Sequence, residues 1–149
     1  MKTRLLSVIF FFGMLITTAQ NVDYNTQKGY IAKGYDVVAY FDNQAIEGET
    51  EFTTMHYGVK YKFSSEDNLK TFSSNPEKYI PQYGGYCAYA IAEKSKKVDI
   101  NPKTFEIRDE KLYLFYNSWG NNTLKTWREN NVKGLQIKAD KNWEAMNLK

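Results

Sequence analysis

The chain has 149 residues, with 20 Lys and Arg set against 17 Asp and Glu, one His and one Cys. That length suits one compact domain with its own core, and a charge this close to balance gives no footprint for a nucleic-acid partner. A single cysteine rules out an internal disulfide and argues against a closed multi-thiolate zinc site. Stability must come from packing, for which 12 Tyr, 9 Phe and 3 Trp supply the area.

Lys2 and Arg4 precede an apolar run from Leu5 to Ile16, which Thr17-Thr18-Ala19 follows. These are the charged region, apolar region and small-residue cleavage site of a secretory signal peptide. The run is shorter than the about 20 residues a spanning helix needs. Cleavage is expected after Ala19, which removes two positive charges and lowers the net charge from +3 to +1. The sequence thus predicts an exported protein, periplasmic or secreted, with no membrane insertion once 1–19 is removed. Residues 20–28 read as a flexible polar arm and 29–149 as the domain.

Gly34 to Phe41, GYDVVAYF, is the first ordered segment. Asp36 interrupts its apolar run, as a turn or cap residue does, and is also a candidate ligand. Ala45 to Glu47 predicts a short strand. Glu51 to Ser64 reads as a β-hairpin turning at Tyr57-Gly58. That register pairs His56 with Val59, Thr54 with Tyr61 and Phe52 with Phe63. It places His56 on the inner aromatic face and Lys60 and Lys62 toward water. Ser65 then caps a helix that carries Leu69 and Phe72 inward. Asn75-Pro76 opens a second short helix.

Pro81 to Ala92, PQYGGYCAYAIA, is the stretch around which the rest is organised. Gly84-Gly85 permits positive φ or close backbone approach. The apolar run after it fits either a buried strand or a short helix. Glu93 to Lys97 reads as a charged surface loop. Thr104 to Tyr116 predicts a second hairpin turning at Asp109-Glu110, with Phe105 and Ile107 alternating with polar residues that face water. Asn122 or Thr123 caps a short helix, and a last helix carries Leu135, Ala139, Trp143 and Met146 on one stripe. The order predicts an α+β fold: a small antiparallel sheet with hairpins, a short helix after the first hairpin, and C-terminal helices.

No phosphate-binding loop, GxSxG, CxxC or HExxH spacing occurs. The chemistry-bearing candidates are Cys87 and His56, with Asp36, Asp99 and Met55 as possible additions. Thiolate and imidazole together suit copper or zinc, and two such ligands suffice for Cu(I). Met55 should point away from His56, since neighbouring strand residues face opposite sides. A Cys87–His56 nucleophile pair, with Gly85 or Tyr86 N–H groups at an oxyanion, is a second reading. A third makes Cys87 a core residue in a domain whose tyrosines line a small-molecule or protein-contact pocket. The partner is therefore a metal ion or a small molecule, and the oligomeric state is open.

The segments GYDVVAYF, YGVKYKFSS, NPEKYIPQYGGYCAYAIA and KTFEIRDEKLYLFYN together resemble the exported, single-domain branch of the YHS-domain proteins, from about Gly34 to Trp143. The resemblance implies a small α+β domain related to cysteine-rich heavy-metal-associated domains, with metal binding as its proposed role and the biochemical function of the exported branch largely unassigned. It also implies cysteines in the metal-binding form at places that Ala39, Ser64 and Asn68 occupy here. Only Cys87 and His56 carry over as ligand candidates. Val37 stands where that branch commonly has proline.

Overall fold

The computed structural model describes residues 22–148, so the expected signal peptide at 1–19 lies outside the described residues. Strands Thr26–Gln27 (β1) and Tyr30–Ile31 (β2) lead into 3-10 turns at Ala32–Gly34 and Ala39–Asp42. Glu49–His56 (β3) and Val59–Phe63 (β4) form the first hairpin. Helices Glu66–Ser74 (α1) and Pro76–Tyr79 (α2) follow, then Ala88–Lys94 (α3). Asn101–Arg108 (β5) and Lys111–Phe115 (β6) make the second hairpin, and Asn117–Ser118 (β7) with Asn121–Asn122 (β8) a small third one. Thr123–Glu129 (α4) and Val132–Asn147 (α5) complete an α+β fold.

Four strands join in the order β1-β2-β4-β3. Within this sheet β2 meets β4 in parallel through Tyr30 and Lys60, while the other pairs are antiparallel. The first hairpin has the expected register near its tip, His56 opposite Val59 and Thr54 opposite Tyr61. Tyr57 accepts φ +48° there, beside Gly58 at +76°. The expected Phe52–Phe63 pair does not form. An irregularity between Glu49 and Thr53 sets Glu49 opposite Phe63, beside Gly48, whose missing side chain lets it press on Lys62. Expected caps are in place: Ser65 Oγ accepts from Asn68 N at 3.2 Å, and Asn122 Oδ1 accepts from Leu124 N at 3.1 Å.

One strand divides the interior. Alternate side chains of a strand face opposite ways; Leu112 and Leu114 of β6 enter one apolar core, whereas Tyr113 and Phe115 enter the other. The first core joins the sheet to α1 and α2, and the second is built from α3, α4 and α5. That is why LYLF is apolar throughout. The central stretch resolves as the helix α3, with Cys87 and Ala90 in the first core and Ala88, Ile91 and Ala92 in the second.

Gly84 and Gly85 lie in a left-handed run with Tyr83, at φ +60°, +81° and +55°. A side chain on Gly84 would meet Asp23 O at 2.8 Å and the Trp143 ring at 2.9 Å. The polar arm crosses at this point. Asn25 N donates to Gly84 O at 2.8 Å, Asn25 Nδ2 to Gly85 O at 3.1 Å, and Lys97 Nζ lies 3.1 Å from Asp23 Oδ2. Both the arm and the C-terminal helix therefore seat on the paired glycines. Among the described residues no helix is long and apolar enough to cross a membrane.

Candidate functional site

Asp36 is fully buried and heavily bonded. Its Oδ1 accepts from Val38 N at 2.9 Å and Ala39 N at 3.2 Å. Its Oδ2 accepts from Ser64 N at 2.8 Å, Ser64 Oγ at 2.7 Å and Asn68 Nδ2 at 2.7 Å. A carboxylate offers about four lone-pair sites, so five donors leave none for a metal. Asp36 locks the first 3-10 segments to β4 and α1. Ala39, Ser64 and Asn68, where the family resemblance implied cysteines, all meet at this carboxylate.

His56 sits at the tip of the first hairpin against α2. Its Nε2 lies 3.1 Å from Glu77 Oε1, and its ring packs near Tyr57 and edge-on to Phe72. Hydrogen bonds from Tyr57 and His56 hold the Glu77 carboxyl below the usual range. Met55 points away from His56, 61% exposed. Nearby, Tyr61 is buried, and its hydroxyl has no hydrogen-bond partner among the described residues.

Cys87 begins α3, and its N–H donates to Val98 O at 2.9 Å. A parallel bridge joins it to Leu114 of β6. Its Sγ lies 3.3 Å from Thr123 Oγ1, which donates its single proton to Tyr116 O at 2.8 Å. The thiol is thus the donor in a chain running from Cys87 through Thr123 to a carbonyl. Asp99 is engaged elsewhere, 2.7 Å from Lys33 Nζ and accepting from Asn25 Nδ2 at 3.1 Å. Burial alone would raise its pKa, but Lys33, Asn25 and the Ile100 N–H outweigh that and lower it.

No hydrogen bond or ring contact links any two of Cys87, His56 and Asp36, and each has its own partners. Among the described residues no group of three or more His, Cys, Asp or Glu side chains is placed to hold a metal ion. The Tyr86 N–H, suggested for an oxyanion, donates to Tyr83 O at 3.1 Å.

What the fold does assemble is a double cleft around Tyr116. A smaller cavity of about 210 Å³ has Cys87 and Thr123 at its floor, Tyr89 and Val98 in its walls, and the exposed Lys94 and Asn121 at its mouth. A larger one of about 530 Å³ lies between Lys33-Tyr35, the 99–103 segment and β7. Tyr116 borders both. Cys87 stands out in the sequence, whereas Tyr116 and Thr123 read there only as a strand end and a helix-cap candidate, because nothing local marks residues that become neighbours of the cysteine only through the fold.

The sequence reading also missed Glu106. It was expected on the wet side of β5, yet it is only 7% exposed. Its carboxylate accepts from Arg108 Nε at 3.0 Å, Arg128 Nε at 2.9 Å and the buried Trp127 Nε1 at 3.1 Å. Burial pulls its pKa up, but these donors outweigh it and hold the group below the ordinary carboxylate range. The cluster ties the second hairpin to α4. No protein-family model matches this chain, and neither a curated protein nor a solved structure does. The likeness to the YHS domains rests on the quoted segments alone.

Proposed function

We propose that this chain is an exported, YHS-like binding domain whose site is the double cleft around Tyr116, with Cys87 as a core residue at its floor. The supporting observation is the bonding of the thiol itself. Cys87 spends its proton on Thr123 inside a closed relay to Tyr116 O, while the adjoining cavity is walled by the aromatic and apolar groups that small-ligand sites use. Asp36 and His56 are engaged by other donors and acceptors, which favours organic-ligand binding over the metal reading. One feature keeps copper or zinc as a second reading: Cys87 lines a cavity that a soft ion could enter. Metal binding there would displace the thiol proton and break the relay.

An NMR titration of the protein with a set of small aromatic and polar fragments tests this. Amide shifts clustered at the cleft walls, 33–35, 87–103 and 116–123, are expected, with those around the smaller cavity abolished in Val98→Trp, which fills it. Shifts scattered elsewhere, or none, overturn the cleft. A parallel titration with Cu(I) that saturates at one ion and is lost in Cys87→Ser would make the metal reading the better one.

A further inference from the structure

The third hairpin carries a residue the core does not use. Trp119 is 96% exposed, and it sits at φ +52°, followed by Gly120 at +76°. An indole in left-handed backbone bears a steric cost that glycine or asparagine would avoid, and here no burial offsets it. The strands on either side of this tip reach into the cleft: Asn117 and Ser118 line the larger cavity, and Asn121 the smaller. Trp119 lines neither cavity but stands at the tip between them, next in the chain to Ser118 in the wall of the larger one.

The larger cavity has a mixed and pre-arranged chemistry. Tyr35 and Tyr116 offer aromatic surface; Asn101, Asn117, Ser118 and Asp99 offer polar edges. Several of these are held in place. Asn101 Oδ1 accepts from Lys103 N at 3.0 Å, Asn101 Nδ2 donates to Asn117 O at 3.2 Å, and Asn117 Nδ2 donates to Thr104 Oγ1 at 3.1 Å. Lys33, at φ +56°, is fixed by its 2.7 Å pair with Asp99. Lys103, also in the wall, is in no salt bridge among the described residues. Groups ordered before binding lose little entropy when the ligand arrives. The volume of about 530 Å³ falls within the roughly 300–1,000 Å³ of small-ligand sites.

We propose that the larger lobe of this cleft binds a carbohydrate bearing a carboxylate, a uronic-acid saccharide, and that Trp119 is a further stacking platform beyond its two tyrosines. Pyranose rings have weakly positive C–H faces that suit the negative face of an aromatic ring. Their hydroxyl edges need amides, hydroxyls and carboxylates in fixed directions. Tyr35, Tyr116 and Trp119 supply the faces, and Asn101, Asn117 and Asp99 the edges. Lys103 is the cation left to receive the sugar carboxylate. The inference rests on the binding reading above and adds the ligand class to it.

Titrations with digalacturonate and with its neutral counterpart galactobiose, followed by tryptophan fluorescence and amide shifts, distinguish the outcomes. Digalacturonate should bind more tightly than galactobiose, with the preference shrinking as salt rises. Trp119→Ala, a surface change that leaves both cores intact, should weaken both sugars about fivefold to tenfold. Lys103→Gln should cut only the acidic preference, by about two- to fivefold. Sugar binding that ignores both substitutions overturns the proposal. So does the absence of sugar binding where fragments still shift 87–98 and 116–123, an outcome that leaves the cleft reading standing. If fragments also fail there, both fall.

Discussion

Replacing Asp36 by asparagine keeps the shape of the side chain but turns one acceptor oxygen into a donor. That NH2 group would face either the Val38 and Ala39 N–H groups or the donors of Ser64 and Asn68. Hydrogen bonds to a charged group are worth about 1.5–3 kcal/mol each. We therefore expect Asp36→Asn to lower stability by at least about 1.5–3 kcal/mol in urea denaturation. A loss near zero would mean the carboxylate is not the junction described. The cap half of this role was legible, since an aspartate before VVA is a local turn signal. Its bonds to Ser64 and Asn68 were not, because nothing local to Asp36 records a partner 28 or 32 positions away.

At the scale of elements, the paired glycines are where substitution should be felt. Gly84→Ala places a methyl 2.8 Å from a backbone oxygen and 2.9 Å from an indole, at φ +60°. The left-handed conformation alone costs about 1–2 kcal/mol, and the overlap adds to it. The expected outcome is a loss above that figure, with proteolysis now entering at 22–25; unchanged protection of the arm would count against the contact. Helix starts were readable because serine, asparagine and proline mark them chemically. The conformation of YCAYAIA was not, since α3 touches two cores and so lacks the polar face that reveals a helical period. The first hairpin was legible from Thr53 to its tip; beyond that the irregularity near Gly48 shifted the pairing, which the alternation pattern does not announce.

For the molecule as a whole, the buried Glu106 cluster sets an acid limit. Its folded-state pKa lies below its ordinary value of 4.5, so the ionised form is favoured by folding. Stability from this group is present above about pH 4.5 and is lost as the pH falls toward the folded-state pKa. Denaturation followed from pH 7 to pH 3 should show that loss, and Glu106→Gln should flatten it while lowering stability at pH 7. An identical acid slope in the variant would place the titration elsewhere. The expectation that this side of β5 is wet failed because alternation identifies a face without saying what lands on it; Trp127 and Arg128 arrive from α4. The seating of both Asp23 and Trp143 on Gly84 has its own consequence. Contacts between distant positions form only after the intervening chain has closed. Synthesised amino end first, the chain makes residues 22–25 long before the helix that completes their seat exists. The first hairpin and its helices have local partners and can order early, whereas the segment 22–25 must wait for the far end, so it is made before them and yet finds its place after them.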